Sequence, residues 1–336
     1  MVPESPTVPA SPTVPESPLV PEPPMTPSPM AQSLLGTTFQ NPVLLAAGTC
    51  GFGEEIAEVV DLDGLGGLIT KSVTLEPRAG NPAPRVAEFR AGMVNSVGLA
   101  NPGAQEVRRR KLPWLRERLR RARVLVSVAG HTPEEFNRVV EILDDADGFQ
   151  AYEINLSCPN DTRRGGLAFA LDPDAAARVM EGVRSRTQRP LVPKLAPNTP
   201  DFGPVIRALE GAGADGFTLV NTLPGLVLDP ETGEPALGAG AGGMSGPAIR
   251  AVGVHAVWSA AGHTRLPLLG VGGIAQGEDA IQYLMAGASL VQMGSASFWD
   301  PRSSGRVVKW LEDAVRRRGA DHVQALVGSA QLKRKA

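Results

Sequence analysis

The chain has 336 residues, 42% of them hydrophobic, and a formal net charge of −2. That size and apolar content suit one α/β barrel domain, and the near balance of charge argues against a polyanion-binding surface, so nucleic acid is not an expected partner. No apolar run approaches the roughly 18 residues of a membrane span. The only cysteines, Cys50 and Cys158, are too few for a disulfide framework, which fits a reducing cytoplasm.

Residues 1–30 carry the near-repeats VPESP, TVPASP, TVPESP and LVPEPP. Prolines without amide donors or apolar mass predict an extended, polyproline-like tail separate from a folded domain over 31–336. The segment has neither the basic start nor the apolar core of a signal peptide.

From residue 41 onward, β-rich runs alternate with helical patterns, as parallel β/α units do. Strands are expected at 42–46, 67–71, 124–128, 151–156, 191–195, 216–220, 266–271 and 289–293. Helices are expected at 54–60, 104–121, 133–144, 173–185, 202–211, 247–261, 278–286 and 304–317. Thr132-Pro133-Glu134-Glu135 and Asp172-Pro173-Asp174 put an oxygen acceptor and negative charge at helix starts. An eightfold alternation closes into a (β/α)8 TIM barrel. Three connections exceed what the barrel needs, 72–103, 157–171 and 222–245. All leave C-terminal strand ends, where barrel active sites are assembled.

The residues just past the strands are Thr49, Lys71 with Ser72, Ser127, Asn155 with Cys158, Lys194, Asn221 with Thr222, Gly272 with Gly273, and Gly294 with Ser295. Any one of them could be an ordinary turn residue; their convergence on one rim is what points to a site. GVGGI at 270–274 and MGSAS at 293–297 end the last two strands, where barrels commonly bind phosphate. Neither satisfies GxGxxG, so a small phosphorylated ligand or mononucleotide fits better than a dinucleotide. Lys71 and Lys194 end apolar runs, and a buried ammonium needs an anion to meet it. Cys158, in NLSCPN, stands in a loop where a thiol can take a proton, whereas Cys50 reads as structural. His131, His255, His263 and His322 lack metal-ligand spacing, so no metal is expected.

These motifs resemble the dihydroorotate dehydrogenases, class 1B in particular, over about residues 34–301. The segments that carry the resemblance are KSVTLEPRAGNPAPRV, MVNSVGLANPG, KLPWL, NLSCPN, NTL, GGMSGPAIR, GVGGI and GSA. The resemblance implies that Lys71, Asn95, Ser96, Val97, Gly98, Leu99, Asn155, Asn221 and Thr222 hold a dihydropyrimidine. It implies FMN as cofactor, contacted by Ala47, Lys71, Ser72, Ser127, Asn155, Lys194, Val220, Gly246, Gly272, Gly273, Gly294 and Ser295. Two of these depart from the family, which usually has Ser in place of Ala47 and Asn in place of Ser127. Each change removes or shortens a polar contact to the flavin, at about 0.5–1.5 kcal/mol per hydrogen bond. Cys158 is implied as the base that removes the C5 proton of dihydroorotate while C6 gives up hydride.

Class 1B also implies a partner subunit with FAD and an iron-sulfur cluster that passes electrons to NAD in a heterotetramer, and a homodimer of the catalytic chain. The membrane-working classes use serine as base and an N-terminal membrane-associating helix, unlike this proline-rich start. The nearest alternative is a dihydropyrimidine dehydrogenase catalytic subunit acting on uracil or thymine. The run Asn95 to Leu99, Pro159-Asn160 and the carboxylate-matching Lys71 favour the orotate enzyme. A phosphosugar lyase or isomerase would use the same phosphate loops without a redox cofactor, and a yellow protein excludes it.

Overall fold

The computed structural model describes residues 28–156 and 169–330; Cys158 and residues 1–27 of the proline-rich segment lie outside them. Eight parallel strands form a closed barrel: Val43–Leu45, Gly67–Ile69, Arg123–Val128, Ala151–Asn155, Leu191–Leu195, Phe217–Leu219, Leu268–Val271 and Leu290–Met293. Each pairs with the next in sequence, and the eighth closes on the first through Gln292 opposite Leu44. All eight expected strands are present.

Alternation along the strands sorts their residues into an outer face packed on helices and an inner face filling the barrel. The lowest inner layer is apolar: Leu44, Ile69, Leu125, Ala151, Val192, Leu269 and Leu290 pack together with Leu35 and Phe39. Those last two come from an antiparallel hairpin, Gln32–Leu34 with Thr37–Phe39, that closes the barrel floor. Moving two residues up the strands reaches a polar layer of Ser127, Glu153, Thr218 and Gln292, all fully buried. The chain is packed from its first described residues: Met30 is buried, and the Val323 N–H donates to the Pro29 carbonyl at 2.8 Å.

The helices around the barrel include Pro133–Leu143 and Pro173–Arg184, whose N-caps Thr132 and Asp172 accept from the Glu135 and Ala175 N–H groups as expected. Two expected helices differ. Residues 54–60 form successive turns. Seven residues are too few to nucleate a helix unaided, and the Glu55 carboxylate accepts from the Phe52 N–H at 2.9 Å while Glu54 pairs with Lys111. The stretch expected at 104–121 is helical only to Arg118 and widens into a π turn over Val107–Lys111. Pro113 lies just beyond that turn, lacks an N–H and crowds the carbonyl four residues back, which accounts for the widening.

The long connections after the second and sixth strands pair with each other. Val86–Phe89, Gly92–Asn95, Gly242–Ser245 and Leu223–Gly225 form a four-stranded antiparallel sheet over the barrel mouth.

Candidate active site

A cleft opens at the C-terminal end of the barrel, between the strand ends and the antiparallel sheet. Of the residues expected there, Ala47, Lys71, Ser72, Asn95, Val97, Gly98, Leu99, Asn155, Lys194, Val220, Asn221, Thr222, Gly246, Gly272, Gly273, Gly294 and Ser295 line it. Ser96 and Ser127 do not. Ser96 is buried behind the loop, where its hydroxyl accepts from Asn81 Nδ2 at 2.8 Å and its N–H donates to the Arg85 carbonyl. Ser96 stands just past the strand end, and its side chain is held toward Asn81, away from the cleft that Asn95 and Val97 line. Cys158 lies outside the described residues.

Ser127 acts at one remove. Its hydroxyl lies 2.9 Å from that of Ser72, which accepts from Asn155 Nδ2 at 3.3 Å. Asn221 Nδ2 donates to Asn155 Oδ1 at 3.3 Å, and Asn221 Oδ1 accepts from the Thr222 N–H at 2.8 Å. One line of hydrogen bonds therefore ties the ends of the second, third, fourth and sixth strands into the cleft floor. It fixes both asparagine amides, groups that each offer a donor and an acceptor to a heterocycle. Ser127 therefore supports the floor through Ser72.

The antiparallel sheet forms the opposite wall. Asn95 Nδ2 donates to the Gly243 carbonyl at 3.1 Å across paired strands, so the expected substrate loop is pinned to the second long connection. Gly98 has φ +73°, and a Cβ there would meet Asn81 Oδ1 at 2.4 Å. Only glycine makes that bend without displacing Asn81.

The two glycine-rich loops form the third wall. Gly272 and Gly273 have φ +127° and +70°, and a Cβ on Gly273 would meet the Gly246 carbonyl at 2.7 Å. The buried Tyr283 hydroxyl donates to the Gly272 carbonyl at 2.5 Å. Below, Asp279 Oδ2 accepts from the Ala275 and Gln276 N–H groups at 3.0 and 3.1 Å, and its other oxygen pairs with Arg250. These contacts hold a turn whose backbone, free of Cβ atoms, can come close to a phosphate.

Lys194 is 6% exposed at the bottom of the cleft, and its Nζ lies 3.6 Å from Glu153 Oε1. The donor set suits a phosphorylated flavin: glycine loops for a phosphate, amides for a ring edge and a buried ammonium for an electron-rich ring. Cys50 has a different character. It is fully buried, its Sγ donates to the Ile69 carbonyl at 3.4 Å, and burial together with the Glu55 charge pushes its thiol up to about 12. Among the described residues no cluster of His, Cys, Asp and Glu could hold a metal ion.

Sequence reasoning did not identify Met93, Ser245 and Phe298 on the cleft walls, or Glu153, Thr218 and Gln292 beneath them. Glu153 and Gln292 leave a readable sign. A charged or amide residue inside AYEIN or LVQM falls in step with the inward positions Asn155 and Gly294.

A family model described as dihydroorotate dehydrogenase matches residues 29–315. The chain is 45% identical over 302 residues to the dihydroorotate dehydrogenase B (NAD(+)) catalytic subunit of Desulforudis audaxviator, covering 89% of this chain and 97% of that protein. It is 44% identical to a putative dihydroorotate dehydrogenase A (fumarate) of Solibacter usitatus, covering 90% and 99%. Among solved structures, a dihydroorotate dehydrogenase of Eimeria tenella in complex with ferulenol shares the fold, with TM-score 0.75, 23% identity and coverage of 90% and 88%.

Proposed function

The chain belongs to the dihydroorotate dehydrogenase family, and we propose from that membership that FMN and dihydroorotate share the cleft at the barrel mouth. The enzyme oxidises dihydroorotate to orotate in pyrimidine biosynthesis with FMN as cofactor, and is a class 1B catalytic subunit. The observation that carries the assignment of residues is the meeting, in one cleft, of Lys71, three asparagine amides and two glycine loops.

When bound, FMN supplies the acceptor for the hydride leaving C6 of the substrate. Gly272, Gly273, Gly294 and Ser295 hold its phosphate, and Lys194 supplies positive charge beside its ring. Lys71 meets the substrate carboxylate. Asn95, Asn155 and Asn221 match the donors and acceptors of the pyrimidine edge; the tied floor keeps Asn155 and Asn221 oriented before substrate arrives, and the Gly243 carbonyl does the same for Asn95. Cys158 takes the C5 proton. The antiparallel sheet shields the reacting face from water, which strengthens each of these polar contacts.

Catalytic subunits of this class work with an electron-transfer subunit. We assign that partner FAD and an iron-sulfur cluster, with NAD as final acceptor, in a heterotetramer built on a pair of catalytic chains. Two cysteines cannot ligate such a cluster, which needs about four. Among the described residues no helix is long and apolar enough to cross a membrane, and a cytoplasmic enzyme is in keeping with this.

The test is anaerobic addition of dihydroorotate to the purified yellow protein. Flavin absorbance should fall with about one FMN per chain, whereas a colourless protein that FMN does not reconstitute would remove the assignment.

A further inference from the structure

Small barrels usually fill their interior with branched aliphatic side chains. The layer just below this cleft holds a carboxylate, an amide and a hydroxyl instead: Glu153, Gln292 and Thr218, each fully buried. Strand alternation aligns them with the cleft. Ala151, Glu153 and Asn155 rise in steps of two on the fourth strand, and the fifth and sixth carry Lys194 opposite Thr218.

The contacts of Glu153 are divided between its two oxygens. Oε2 accepts from Thr218 Oγ1 at 3.0 Å and Gln292 Nε2 at 3.2 Å, and Gln292 Nε2 also donates to Thr218 Oγ1 at 3.3 Å. Oε1 has no hydrogen-bond partner among the described residues and faces Lys194 Nζ at 3.6 Å. The two donors orient the carboxylate so that its remaining oxygen points at the ammonium lining the cleft. Packing alone gives no reason for this arrangement, because a buried ion pair stabilises a fold weakly compared with apolar residues of the same shape.

We propose that Glu153 is a positioning residue and counter-ion that sets how much positive charge Lys194 presents to the redox group in the cleft. The inference rests on the reading that this group is FMN. Positive charge beside a flavin favours its reduced, anionic form. A carboxylate on the far side of the ammonium opposes that effect, so Glu153 holds the reduction potential below the value Lys194 alone would give. Thr218 and Gln292 keep the carboxylate oriented, which makes the setting a property of the rigid barrel and independent of the mobility of any loop.

The experiment is a dye-equilibrated reductive titration of FMN-loaded wild type, Glu153→Gln, Glu153→Asp, Lys194→Met and the double variant Glu153→Gln/Lys194→Met. Glu153→Gln should raise the equilibrium constant for flavin reduction at least tenfold, about 30 mV for a two-electron couple. Glu153→Asp, which keeps the charge, should stay near wild type, and Glu153→Gln should have no effect once Lys194 is Met. An unchanged potential in folded, loaded Glu153→Gln, or an equal shift with and without Lys194, would overturn the proposal.

If Glu153→Gln alone does not fold, the double variant, which removes both charges, should recover the fold. Its potential should then equal that of Lys194→Met, and a difference would count against the proposal. Wild-type protein that binds no FMN would instead sink the cofactor assignment and leave a different failure on record.

Discussion

Removing the thiol of Cys158 separates binding from chemistry. General base catalysis contributes about 10² to 10⁴ in rate, so Cys158→Ala should slow flavin reduction by that order. Substrate affinity should change little, because Lys71 and the asparagines remain. Thiolate is the active form and an ordinary cysteine titrates at about 8.5, so the wild-type rate should climb with pH toward that value. Cys158→Ser, a far weaker acid, should keep a small activity displaced to higher pH. Stopped-flow flavin reduction across pH and substrate concentration checks all four statements, and an undiminished rate in Cys158→Ala at saturating dihydroorotate would put the base elsewhere. Cys50 offers the contrasting case. Buried and pushed up to about 12, it stays a neutral thiol at any pH where the protein works. Peptide mapping after brief alkylation of the native protein should find Cys50 unmodified until the protein is unfolded.

At the scale of elements, the phosphate-type turn after the seventh strand depends on a residue outside the cleft. Asp279 is 2% exposed and accepts two backbone N–H groups of the turn. Asp279→Ala strands both donors and the Arg250 charge. Leaving buried groups unpaired costs about 1–3 kcal/mol, so calorimetry should show a lower Tm and equilibrium dialysis a faster loss of FMN, with the Michaelis constant for dihydroorotate little changed. Asp279 is an example of what the sequence conceals, since a helix-start Asp in GEDA reads only as a first-turn charge. The strands were legible for a different reason: runs such as PVLLA and RVLVSV are apolar on both faces, and only a strand between core and helices needs that. The antiparallel sheet was not legible, because Gly242, Gly243 and Pro224 are poor strand formers and pair only when two segments about 150 residues apart meet. Within the expected substrate loop nothing in the sequence signals that the Ser96 side chain turns back to Asn81 while its neighbours line the cleft. The helix expected at 54–60 was overridden by Glu55 turning back onto the Phe52 N–H.

On the scale of the whole molecule, the N-terminal segment and the barrel should separate cleanly at a definable residue. The Pro29 carbonyl and buried Met30 contact the barrel, so deleting residues 2–27 should leave Tm and turnover near wild type, while a deletion extended through Met30 should lower Tm. A large loss in the shorter deletion would mean that the proline-rich repeats dock on the barrel. The barrel also bears on the electron acceptor, where similarity at nearly equal identity to proteins named for NAD and for fumarate poses the question directly. The glycine turn at the cleft lacks the spacing that cradles a dinucleotide pyrophosphate, and the phosphate loops are assigned to FMN. On the proposed reading, electrons bound for NAD leave through a second protein. The isolated chain should reduce artificial dyes rapidly with dihydroorotate and reduce NAD only slowly, and adding a flavin and iron-sulfur subunit should restore NAD reduction with no change in the rate of FMN reduction. Fast NAD reduction by the chain alone would place a dinucleotide site on the barrel, and fast fumarate reduction without a partner would move the chain to the fumarate-using class.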